Sequence, residues 1–176
     1  LSERADPGIG AARLICGIAA IGAGLIHLAT AIGSPPAIAA VVAMVGVAEF
    51  GWGVVAVVAR GIPLPTAARV GAVVPIVLWV LVLLVAGPAQ LGPFTSTLRL
   101  GPMLAASALD LTVVVGVTIA HRRAIAGGAR RTGRGAIVAT VIGGLAIAAL
   151  TAAALTATEA GEQARNGTGF FSGHDH

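Results

Sequence analysis

The sequence predicts an all-α protein: a polytopic transmembrane bundle of five helices, N-terminus inside and C-terminus outside. Composition, the spacing of apolar runs and the placement of arginine lead there. Of 176 residues, 57% are apolar and 10% charged, against about 25% charged in an ordinary soluble domain. Mean hydropathy is +0.96. So little polar surface cannot coat a water-soluble globule, and a bilayer is the solvent that suits it. The length leaves room for one domain.

Five apolar runs, at about 14–33, 37–59, 70–91, 100–120 and 136–158, match the roughly 20 helical residues that cross a hydrocarbon core about 30 Å thick. Glycine and proline punctuate them. Ser34-Pro35-Pro36 closes the first, Gly61-Ile62-Pro63-Leu64-Pro65 the second, and Gly87-Pro88 with Gly92-Pro93 the third. The fourth runs into His121-Arg122-Arg123. Arg13, the apolar stretch behind it and Ala29-Thr30-Ala31 imitate a signal peptide, but the run reads as a retained helix. Pro75 predicts a kink in the third helix, because proline removes one backbone hydrogen bond. Pro102 falls in a first turn, where proline is tolerated. The fifth run, with Gly143, Gly144, Thr151 and Thr156, is small enough to pack closely on a neighbour. Residues 159–176 form an extracytoplasmic tail, and 159–165 are expected to continue helix five beyond the bilayer.

Orientation follows from the arginines, since cytoplasmic loops hold the excess of positive charge. Every basic residue is Arg. Arg122, Arg123, Arg130, Arg131 and Arg134 fill the fourth loop, Arg60 and Arg69 the second, and Arg4 and Arg13 the N-terminal segment. Only Arg99 lies in the remaining two loops. The fourth-loop cluster either fixes topology or also binds anionic headgroups. Nucleic acid is not implied: the arginines lack the interleaved aromatics of single-strand binders. The Ala-, Val-, Gly- and Arg-rich composition points to a bacterial plasma membrane. Cys16 is the only cysteine, so an intramolecular disulfide or a multi-cysteine metal site is excluded; it reads as a small buried apolar residue.

Ionisable residues inside spans are rare and are functional candidates. Here they are His27, Glu49 and Asp110. Glu49 and Asp110 fall near mid-span at similar depth, and His27 roughly 8 Å further out at 1.5 Å per residue. A mid-membrane carboxylate costs about 2.5–3.5 kcal/mol on insertion scales, and no Arg or Lys lies in the spans to offset it. Each carboxyl is therefore either protonated and hydrogen-bonded to a neighbouring helix, or part of a proton or ion site. Small residues share their helical faces: Gly46, Gly53 and Ala56 with Glu49; Ala106 and Ser107 with Asp110; Ala20, Ala23, Gly24 and Thr30 with His27. That pattern predicts a bundle interior.

The chain ends Phe170-Phe171-Ser172-Gly173-His174-Asp175-His176. His174, Asp175 and His176 offer N and O donors suited to Cu(II), Zn(II) or Ni(II). Defined geometry needs further ligands; the candidates on that side are His27, Glu159 and Glu162, with Met44 and Met103 in the outer halves of their spans pointing to Cu(I). The bland alternative is a polar tail with no ligand.

The run Gly24-Leu25-Ile26-His27-Leu28-Ala29, with Glu49, Trp52, the Pro75/Trp79 helix and the His-containing tail, resembles small uncharacterised multi-pass proteins of actinobacteria. The resemblance implies fold and compartment and no activity. Three functions fit these residues. In order of support they are a non-catalytic accessory subunit of a larger membrane complex, outer-face metal handling with copper favoured, and proton-coupled transport through Glu49 and Asp110. Other membrane subunits or self-association would supply the partners. No Ser/His/Asp set, HExxH motif or phosphate loop argues for an enzyme.

Overall fold

The computed structural model describes residues 7–59, 61–89, 100–125 and 133–166. Those residues are all-α, without strands. Five long helices, α1 (Pro7–Ala31), α2 (Pro36–Val58), α3 (Pro65–Ala89), α4 (Leu100–Ile125) and α5 (Gly133–Thr156), precede a short α6 (Glu159–Arg165). Four stretches are long and apolar enough to cross a membrane: Gly10–Ala31, Pro36–Val58, Leu100–Arg123 and Arg134–Thr156. In α3 the apolar helix described runs over Pro65–Leu81, and it stays helical through Pro75.

The ends of these helices follow from local chemistry. Gly33 takes φ +84° after α1, a left-handed conformation that costs glycine little. Ser34 then returns its N–H to Ala31 O and its hydroxyl to Thr30 O. Pro36 opens α2 at a position where a missing N–H costs nothing. Leu64 is left-handed at φ 44°, an unfavourable state for a residue with a Cβ. It sits in the α2–α3 joint, which is pinned by Trp52 Nε1 donating to Pro63 O at 2.9 Å.

Helix α1 is the hub, packing against α2, α4 and α5, while α3 leans mainly on α4. The core is built of small residues on α1 (Cys16, Ala19, Ala20, Ala23) meeting Ala106, Leu109, Val113 and Val117 on α4. Outward faces carry large apolar side chains, including Val58, Leu84, Leu104, Ile142 and Leu145. Such a surface is expected against lipid and is a liability in water.

The closest approach of one long helix's backbone to another's is between α1 and α2. A Cβ on Gly24 would stand 2.6 Å from Gly46 O, and one on Gly46 2.8 Å from Gly24 O. Two turns along, a Cβ on Gly53 would stand 2.7 Å from Gly17 O. Two reciprocal glycine pairs thus let the backbones touch. At its own glycines helix α5 packs less tightly: a Cβ on Gly143 would reach Ile15 at an ordinary 3.4 Å. Its close neighbour is α1, at Gly22 against Thr151.

The segment after α5 does not continue it. Ala157 and Thr158 close a turn onto Ala154 O and Leu155 O, and the Thr158 hydroxyl caps α6 by accepting from Gly161 N–H at 3.2 Å. A threonine cap ends one helix and starts the next. Gly161 permits the fold-back, because a Cβ there would run into Leu155 O.

Gly24→Leu should destabilise the purified protein by about 1–3 kcal/mol, the usual cost of overpacking. Gly71→Ala, with nothing within 4 Å of its added Cβ, should be neutral or mildly stabilising. Thermal denaturation of both variants in one detergent checks this.

Candidate functional site

His27, Glu49 and Asp110, each within a helix long and apolar enough to cross a membrane, sit one turn beyond a small residue that brings the helix close to a neighbour. His27 follows Gly24 on α1, Glu49 follows Gly46 on α2, and Asp110 follows Ala106 on α4. The glycine seam sets α1 against α2, and Ala106, wholly buried, admits α4 to the same point. The three side chains converge. His27 Nδ1 lies 2.7 Å from Glu49 Oε2. One ligand atom from each of His27, Glu49 and Asp110 lies within 4.8 Å of the others. All three are buried, Asp110 at 1% exposure.

The hydrogen bonding is incomplete. Glu49 Oε1 and both Asp110 carboxylate oxygens have no donor among the described residues, and the two carboxyls lie close enough to share a hydrogen bond only if one of them holds a proton. Buried polar atoms are nearly always paired, and a buried charge is compensated or costs several kcal/mol. The donor set supplies that compensation only in part, because a single imidazole faces two carboxylates. A proton or a cation among the three would complete it.

Apolar layers flank the trio. Met103, two turns before Asp110 on α4, packs with Trp79 of α3 and Ile38 of α2. On the other side, Trp52 lies one turn beyond Glu49, with Ile62 and the buried Ala68 and Ala72 in the same core. Met44 is 66% exposed, so neither methionine joins the trio. Cys16 is buried in the α1–α4 core, its thiol against Gly116 and 4.0 Å from Val113 O.

His27 is therefore grouped with Glu49 and Asp110. His174, Asp175 and His176 lie outside the described residues, as do Arg130 and Arg131. Arg122, Arg123 and Arg134 are exposed at the end of α4 and the start of α5, with Arg122 and Arg123 in the last turn, where cations complement the helix dipole. The sequence identified all three core residues but not their contact. Depth counted along each span sets His27 roughly 8 Å from the carboxylates, and the reach of the side chains across the seam closes that gap. The paired glycines, seven apart in both helices (Gly17 and Gly24, Gly46 and Gly53), were the available signal. Trp79, whose indole N–H is buried without a partner among the described residues, was not singled out as a wall of the site.

Comparison with family models, curated proteins and solved structures finds no match.

His27→Leu alone should cost about 3–5 kcal/mol, because it strands a buried carboxylate. The double variant His27→Leu/Glu49→Leu should recover most of that loss. A double-mutant cycle by chemical denaturation in detergent checks it, and additive losses would contradict direct coupling.

Proposed function

We propose that this protein handles a divalent transition-metal cation within the membrane, bound by His27, Glu49 and Asp110. The observation that carries the reading is the convergence of one imidazole and two carboxylates within 4.8 Å, with three oxygens left without partners. Two carboxylates and a neutral imidazole carry two negative charges, which one dication cancels. Neutrality is the least costly state for a site in hydrocarbon. Zinc ligands stand about 2.0–2.2 Å from the ion, hence no more than ~4.4 Å apart, so small side-chain rotations close the trio on a metal. Mixed N and O donors suit Zn(II), Fe(II) or Mn(II). Copper(I) prefers thiolate and thioether, and Cys16, Met44 and Met103 lie elsewhere.

Around that site the reading takes five crossings, with the N-terminus inside and the arginine-rich loop cytoplasmic. The same three residues would carry protons in the absence of metal, which keeps proton-coupled transport through Glu49 and Asp110 as the second reading. Its support is the same unpartnered oxygens. The accessory-subunit role rests on the outward apolar faces of α2 and α5, which lipid also satisfies. Outer-face copper handling through His174, Asp175 and His176 is a further reading that rests on their donor chemistry alone.

Purified protein in lipid nanodiscs should bind about one Co(II) or Zn(II) per chain, measured by calorimetry and elemental analysis. Glu49→Gln and Asp110→Asn should each weaken binding at least about 100-fold, the upper end for loss of even an outer-shell partner. Removal of residues 173–176 should leave this stoichiometry unchanged. Unaltered affinity in both carboxylate variants would refute the metal reading. Proton flux that persists in chelator-treated liposomes and vanishes in those variants would support the proton reading.

A further inference from the structure

A groove of about 530 Å³ runs along the α1–α4 seam, apart from the trio. Ala12 and Cys16 line it from α1, and Ala108, Leu111, Val115 and Arg123 from α4. The α4 residues recur at steps of three, four and eight, so they form one stripe of the helix. From Ala108 to Arg123 that stripe is roughly 22 Å long at 1.5 Å per residue. Leu111 and Val115 are 55% and 47% exposed, so the groove opens outward, toward the bilayer.

Its chemistry changes at one end only. Arg123 belongs to the lining, and Arg122 precedes it on α4. Arg13 follows Ala12 on α1, and its Nε is buried without a hydrogen-bond partner among the described residues. The antiparallel run of α1 and α4 brings these arginines to the same end. No Asp or Glu lines the groove. An elongated, largely apolar groove that ends at the Arg123 guanidinium, with Arg13 next in sequence to the lining residue Ala12, is complementary to a lipid with a negative headgroup.

We propose that this groove holds one acyl chain of an anionic phospholipid, with its phosphate headgroup on Arg123 and Arg13. Guanidinium forks bind phosphate oxygens in pairs, and the buried Arg13 Nε gains the acceptor it lacks. A lipid tail occupies about half of a roughly 30 Å hydrocarbon core, and the stripe is longer than that. Site-bound lipid differs from the bulk annulus in one measurable way: it discriminates between headgroups. Basic residues near the membrane surface favour anionic lipid by roughly fivefold for each arginine.

A tryptophan placed in the groove reads that discrimination. Leu111→Trp, and independently Val115→Trp, sit on exposed positions that tolerate the change. Each is reconstituted in phosphatidylcholine vesicles containing brominated-chain phosphatidylglycerol or brominated-chain phosphatidylcholine at equal fraction. Quenching in excess of the parent protein's Trp52 and Trp79 signal is measured. The expected result is several-fold stronger quenching by the glycerol lipid, reduced to parity by adding Arg13→Gln and Arg123→Gln, with helix content unchanged. Equal quenching by both lipids before the arginines are altered would overturn the proposal. Protection from both, together with concentration-dependent dimerisation, would assign the groove to a second copy of the chain and overturn it as well.

Discussion

Direct backbone contact between α1 and α2 governs the arrangement of everything else. Lipid offers no hydrophobic drive for one apolar helix to leave it for another, so association depends on dispersion and close fit. Gly17, Gly24, Gly46 and Gly53 remove the side chains that would hold the two helices apart. Because the pairs are reciprocal and two turns apart, they define both distance and register. A slide of one residue would bring Cβ atoms against carbonyl oxygens. Once α1 and α2 are seated, the alanine face of α1 is left open to α4, and α5 covers the remaining side.

That register has a chemical consequence. It delivers His27 and Glu49 to hydrogen-bonding distance in surroundings that offer no other polar compensation. Asp110 then arrives from α4 with both oxygens unmatched. A bundle selected for stability alone would be better served by apolar residues at these positions, since replacing buried ion pairs with well-packed apolar groups is often neutral or stabilising. The retention of an imbalanced trio, two acids to one imidazole, is what directs attention to a positively charged ligand.

Helix α3 is tied in differently. It packs on α4 and only lightly on α2, with Trp79 against Met103 and Ile38 on one side of the trio. At its start the chain carries Leu64 in an unfavourable left-handed state, held by proline neighbours and the Trp52–Pro63 hydrogen bond. Local strain persists only where surrounding contacts over-determine it.

Much of this was legible before any coordinate. The helical, membrane-embedded character follows from composition and run length, because hydrocarbon tolerates only backbones that satisfy their own hydrogen bonds. His27, Glu49 and Asp110 stood out as well, since charge in a span is costly wherever the helix goes. Their meeting was not legible. Residue counting gives depth along each helix but not which helices are neighbours or how they are rotated, and on depth alone His27 belonged with the outer tail. Nor did small residues reveal their partners: Gly143 and Gly144 drew attention to α5, whereas the tightest contact lies between α1 and α2. By itself the sequence determined which groups lipid could not tolerate uncompensated. Only the tertiary structure decided that they meet, because contact between helices depends on backbone distance and rotation, which no single helix encodes.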